Sequence, residues 1–209
     1  QGIAVSPVPR QVWWSAGGVR PKERVAERTT TAAEDLELMR RVRAGDSAAF
    51  RALVERYRGP LYAFVLRMAR DPSTAEELVQ ETFVRVHRAA PRYQPSAAVS
   101  TWLFHIASRL AMNEAARAHH RRELLVEAPD RASEASGALE ELERRELSRR
   151  IEDALAQLPP QQRAAVVLAR FEDMPYREIG KVLEISEGAV DGLLQRARQT
   201  LAKLLRPTS

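Results

Sequence analysis

The chain has no cysteine. That excludes disulfides, thiol nucleophiles, and any zinc or iron–sulfur site that needs a thiolate. No apolar run approaches the ~20 residues a helix needs to span a bilayer, so membrane insertion is not expected. Residues 1–19 lack a charged start followed by an apolar core, so no secretory leader is expected either. A cytoplasmic place of work follows as an expectation. Lysine is scarce too: Lys22, Lys181 and Lys203 are the only ones, so arginine carries nearly all the positive charge. Arginine's planar fork suits phosphates and guanine edges, but an arginine and alanine bias of the encoding genome gives the same composition. The net charge of +5 and pI near 10.0 fit an anionic partner without demanding one.

What is present is helical. The 209 residues suffice for one large or two small domains. Residues 1–33 carry Pro7, Pro9, Pro21, a Gly pair and a Thr run with no regular period, which predicts a disordered extension. Trp13-Trp14 is unusual there and is either a docking anchor or incidental. From Glu34 to Arg122 apolar residues recur at helical spacing, with Gly59-Pro60 expected to kink or break one helix. Ser73-Thr74-Ala75-Glu76 fits a capping box for the next. Residues 123–138 lose the period and mix acids with Pro129, Gly137, serines and alanines, as a flexible linker between domains does. Helices resume over 139–206. The expected fold is all-α, two small helical domains joined by that linker, with no strand of consequence.

In the second domain, Tyr176 to Leu183 and the stretch after Ser186 form two short helical patterns meeting at a tight turn. Ile179, Val182, Leu183, Ile185, Val190 and Leu194 are spaced to bury one shared face between crossed helices. Ser186 is a good N-cap for the second. This is the pattern of a helix-turn-helix whose second helix enters a major groove.

Two stretches of the first domain carry patterned charge. In Ala75 to Val86, Glu77 and Glu81 share a face with Gln80 beside them. Such like charges cost a few tenths of a kcal/mol in isolation and attract a basic partner, while a solvated face has the same spacing. In Ser100 to Arg122, Arg109, Asn113 and Arg117 form a cationic and polar seam, fit for phosphate and base contact or for solvent. Trp102 reads more as core than as a base-stacking platform. His119 and His120 are adjacent on a helix, point roughly 100° apart and share no metal. No cluster at metal spacing and no nucleophile–base pattern is visible, so no cofactor, metal or catalytic residue is expected.

Three blocks together resemble a known family. They are Ala75 to Phe83 with Arg85, Trp102 to Ala111, and Leu158 to Leu201. In order and spacing they are similar to sigma factors of the extracytoplasmic-function type, the small bacterial RNA polymerase specificity subunits. The resemblance implies promoter-specific initiation and promoter opening in a stress or signal response, with no enzymatic activity of its own. It places Glu76, Glu77, Gln80, Glu81 and Phe83 against core RNA polymerase. It places Arg92, Ser96, Ser100, Trp102, Arg109, Asn113, Arg117, Arg121 and Arg122 at the melted minus-10 strand. It places Arg177, Ser186, Glu187, Gly188, Asp191, Gln195, Arg196 and Arg198 at the minus-35 element. Residues 34–122 would be sigma domain 2 and residues 139–206 sigma domain 4, with an anti-sigma factor as a further partner.

The chain departs from the family pattern in its reading helix, where Thr-Val-Lys-Ser-Arg is common. Here Ala189-Val190-Asp191-Gly192-Leu193 loses two cations and gains an acid that can accept from a cytosine amino group. Gly192 costs ~1 kcal/mol relative to Ala. Glu184 stands where the turn commonly has Gly, and Pro175 where the preceding helix commonly has a Ser or Thr cap. A stand-alone helix-turn-helix regulator remains the alternative, distinguished by tight duplex binding without polymerase. An enzyme acting on nucleic acid is the third class and lacks its residue clusters.

Overall fold

The computed structural model describes residues 21–95, 97–124 and 139–206, with side chains placed over 32–95, 97–118 and 146–206. Ser96, the side chains of Arg121 and Arg122, Trp13-Trp14 and nearly all of the expected linker lie outside these residues. The described chain is helical: α1 Pro21–Arg43, α2 Ser47–Ala69, α3 Pro72–Ala89, a 3-10 turn Ala90–Arg92, α4 Val99–Leu124, α5 Leu139–Ala156, α6 Pro160–Arg170, α7 Tyr176–Leu183 and α8 Glu187–Leu204. No strand occurs among the described residues.

Three local expectations are corrected. First, α1 begins at Pro21, inside the stretch expected to be disordered. The straight-chain Lys, Glu and Arg and the Ala of this stretch favour a helix even without an apolar stripe. Second, α2 runs through Pro60 without a break, because buried Tyr57, Leu61 and Phe64 on both sides hold it to one core. Third, the cap of α3 is Asp71, whose carboxylate accepts from the Thr74 amide at 2.7 Å. Pro72 at the first helical position moves the start ahead of the expected capping box.

The N-terminal group packs α1, α3 and α4 around α2, whose Leu53, Leu61, Phe64, Val65 and Met68 are fully buried. Asp35, 2% exposed, fixes α1 to α2: it accepts from Arg56 Nη1 at 2.6 Å and from the Tyr57 hydroxyl. Burial and then that carboxylate push the Tyr57 phenol well above its ordinary value. In the C-terminal group, α6, α7 and α8 close around Val167, Leu168, Ile179, Val182, Val190 and Leu194.

The two groups are not apart, as a pair of domains on a flexible linker would allow. They share one continuous apolar cluster. Arg70 pairs with Asp153 at 2.6 Å, and the Arg67 guanidinium sits 4.2 Å over the Phe171 ring. Arg163 of α6, only 9% exposed, donates to Met68 O of α2 at 2.9 Å and also to Ala156 O and Leu158 O of its own group. Its fork meets several carbonyls at once, which a lysine ammonium cannot do with the same planarity.

Candidate nucleic-acid interface

The helix-turn-helix is built by α7, Glu184-Ile185-Ser186 and α8. Gly180 sets the closeness of the turn: a Cβ there would lie 2.7 Å from Ile185 O, while Ile185 N donates to Gly180 O at 2.9 Å. Only glycine fits this backbone-on-backbone approach. Glu184 caps α7 in the left-handed conformation, φ 57°, the strain expected for a non-glycine residue at that point. Pro175 starts α7 with no side-chain cap. Ser186 Oγ, as expected, accepts from the Ala189 amide at 3.2 Å and caps α8. Ile179, Val182, Leu183, Val190 and Leu194 are buried as the spacing predicts, and Ile185 is partly so.

The outward face of α8 carries Glu187, Gly188, Asp191, Gln195, Arg196 and Arg198, all exposed. Asp191 is not free in the unbound chain: its carboxylate accepts from the Gln195 amide at 2.8 Å. Beside the helix start, an open groove of about 470 Å³ is lined by Arg177, Gly180, Lys181, Glu184, Ile185, Ser186 and Glu187. Its two cations and its helix N-terminus suit a phosphate, and its two carboxylates oppose one.

On α3, Glu76, Glu77 and Gln80 are exposed. Glu81 accepts from Arg85 at 2.7 Å one turn on. Phe83, expected among the polymerase-contacting residues, is instead 7% exposed and stands edge-on to Phe50 in the core. It lies a turn from Val79 and Val86 on the inward stripe, so it cannot reach a partner without unpacking that stripe.

The seam of α4 emerges as expected, with Arg109, Asn113 and Arg117 exposed and Arg117 within 3.7 Å of Glu114. Arg92 is exposed in the 3-10 turn, Ser100 is half-buried, and Trp102 packs partly buried with its ring 4.8 Å from Tyr93.

One contact was not legible in the sequence: α4 lies along α7. Thr101, His105 and Arg109, one turn apart from each other, meet α7 and its cap in series. The buried Thr101 hydroxyl donates to the Glu178 carboxylate. His105 Nδ1 donates to Val182 O at 3.0 Å, satisfying a carbonyl in the last turn of α7. Glu184 Oε1 lies 3.7 Å from Arg109 Nη1 and 3.9 Å from His105 Nε2. Arg109 and Glu184 are both 61% exposed, so their attraction is worth about 0–1 kcal/mol. The Thr101–Glu178 bond is part-buried and has a charged acceptor, so water screens it less than the Arg109–Glu184 pair. Ser108, on the same stripe, is fully buried with an Oγ that has no hydrogen-bond partner.

Among the described residues, no group of His, Asp and Glu is placed to hold a metal, and no helix is long and apolar enough to cross a membrane.

Comparison with known proteins agrees with this geometry. The family description Sigma-70 region 2 matches residues 53–122, and Sigma-70, region 4 matches residues 148–201. The chain is 31% identical over 186 residues to the RNA polymerase sigma-H factor of Pseudomonas aeruginosa, covering 85% of this chain and 96% of that one. It is 36% identical over 167 residues to the RNA polymerase sigma factor CarQ of Myxococcus xanthus, covering 80% and 95%. Among solved structures, CnrH in complex with the cytosolic domain of CnrY is similar at TM-score 0.64 and 26% identity, covering 82% of this chain and 97% of that one.

Proposed function

This chain belongs to the sigma-70 family of RNA polymerase sigma factors, in its extracytoplasmic-function branch, and on that premise we propose how its faces divide the work. The chain binds core RNA polymerase, directs it to promoters and takes part in opening them. The bond-making chemistry belongs to the polymerase, and the chain works in the cytoplasm where the polymerase is. The carrying observation is that both sigma-70 regions occur in order on one chain that covers 96% of the Pseudomonas aeruginosa sigma-H factor and 95% of CarQ, the second region holding a capped helix-turn-helix.

Residues 34–122 act as domain 2. The acidic face of α3, with Glu76, Glu77, Gln80 and Glu81, docks on a basic surface of the polymerase. Phe83 supports that face from inside. Arg92, Ser96, Ser100, Trp102, Arg109, Asn113, Arg117, Arg121 and Arg122 hold the opened minus-10 strand. Residues 139–206 act as domain 4. There α8 enters the major groove of the minus-35 element, presenting Glu187, Gly188, Asp191 and Gln195 to bases. Arg177, Arg196, Arg198 and the amides beginning at Ser186 face phosphates. An anti-sigma factor is a further partner in this reading.

The test is transcription from genomic DNA by core polymerase with and without the purified chain. Start sites that appear only with it, sharing upstream elements, are the expected result. Tight, sequence-specific duplex binding without polymerase, and no new start sites with it, would make the chain a stand-alone regulator.

A further inference from the structure

We propose that Asp191 and Gln195 read one adenine of the minus-35 duplex as a unit, Gln195 making the contact and Asp191 fixing how its amide points. The inference rests on the assignment of α8 to the minus-35 major groove and names what that helix selects there. Both residues stand on the outward stripe of α8, one turn apart, and both are exposed. Each follows a buried residue, Val190 and Leu194, that seats the helix on its own core. The backbone under the pair is therefore fixed, and only the two side chains are free to choose. They have chosen each other: Gln195 Nε2 donates to the Asp191 carboxylate at 2.8 Å.

That bond decides what a lone glutamine leaves open. A glutamine amide carries an acceptor on one arm and two N–H donors on the other, and a half-turn exchanges the arms. A carboxylate only accepts. Asp191 therefore admits the nitrogen arm and repels the oxygen arm, so the exchange is blocked. One N–H is spent on Asp191, while the other N–H and Oε1 remain side by side. In the major groove adenine offers its N7 acceptor beside its N6 amino donor, the matching pair. Guanine presents two acceptors, N7 and O6, and would leave Oε1 facing one of them. Neither thymine nor cytosine offers an acceptor and a donor side by side there.

An acid in the groove also repels the phosphates on either side of it. The neighbouring stripe of α8 answers that repulsion. A Cβ at Gly192 would stand 3.4 Å from Arg196 Nη1, so the guanidinium folds back along the helix over bare backbone. It brings a cation to the turn that carries Asp191. Glycine in a helix costs ~1 kcal/mol relative to Ala, and here it leaves that path open.

The test is selection by the full chain with core polymerase from copies of one promoter, mapped with the same holoenzyme, whose minus-35 element is randomised. The parent should favour adenine at one position about tenfold, the discrimination a bidentate contact gives. Both side chains are exposed and Ala is the best helix former, so alanine variants keep the fold. Gln195→Ala should bring that position to within about twofold of no preference and leave the others as they were. Asp191→Ala should relax the same position while raising affinity for every sequence, because an acid has left the groove. The double variant should relax it no further, since both residues serve one contact. A merely structural role for Asp191 gives the opposite result, weaker binding with the base ranking unchanged. Relaxation at two different positions overturns the pair, and so does a base other than adenine at the shared one. A parent holoenzyme with no preference at any upstream position overturns the minus-35 assignment itself, and the pair falls with it.

Discussion

The outward faces of α3 and α4 belong to the same helical group and differ in one respect. The acids of α3 look into open surroundings, with Glu76, Glu77 and Gln80 exposed. The cationic seam of α4 is exposed too, but its first member, Arg109, lies 3.7 Å from Glu184 of the other group. One face stands clear of the rest of the chain, and the other begins at the junction of the two groups. A change on α3 can therefore alter docking alone, whereas a change at the start of the α4 seam also touches the packing of α4 on α7.

The largest expected effect tests the face that stands clear. Glu76→Lys with Glu77→Lys should weaken core polymerase binding on the order of a hundredfold or more, as charge reversal in a complementary interface does. Thermal stability should barely change, because both side chains are exposed. Binding that survives in a pull-down would remove α3 from the interface and the comparison with it.

Gly180→Ala breaks the other side alone. With 2.7 Å between the new Cβ and Ile185 O, it should cost on the order of 2 kcal/mol of stability and disrupt minus-35 binding, leaving docking through α3 intact. Equal loss of polymerase binding would mean that the two groups fold as one cooperative unit.

A pH series sharpens the contact between the groups. Burial, aided by Asp173 and opposed by Arg67, pushes the Glu172 carboxyl up to about 7 from its ordinary 4.5. Folding then favours its protonated form. That stabilisation is full below about pH 4.5 and is lost as pH rises through 7. Glu172→Gln, which stays neutral, should exceed the parent's stability at pH 8, with the gap closing at pH 5. Parallel denaturation midpoints at both pH values would mean that Glu172 is solvated.

The smallest effect concerns the reading helix. Asp191→Lys removes the acceptor that holds Gln195 and adds a cation, so general duplex affinity should rise and its salt dependence steepen by about one phosphate contact. Preference among minus-35 sequences should fall. An unchanged preference would place Asp191 away from the bases.

Periodicity and caps made the helices of each group legible. Val190 and Leu194 repeat at helical spacing, and Ser186 announces the helix it caps. The acids of α3 and the seam of α4 were legible because one face of a helix repeats every few residues. The helical period sets Phe83 inward with Val79 and Val86, as found; only the carry-over from the family put it at the partner face, and a residue carried over with a motif can serve that motif from the core side. The packing of α4 on α7 was not legible at all. Thr101 and Glu178 are far apart in sequence, each looks like an ordinary surface residue, and no local rule joins them. Arg163 was hidden similarly: one more arginine in an arginine-rich chain, and in fact buried.

Arg163 also bears on how the two helical groups are held in register. Among the carbonyls it grips, Met68 O belongs to the N-terminal group, while Ala156 O and Leu158 O belong to its own. One guanidinium thus acts as a keystone: it ties the end of α5 and the turn before α6 together and seats that corner on the last turn of α2.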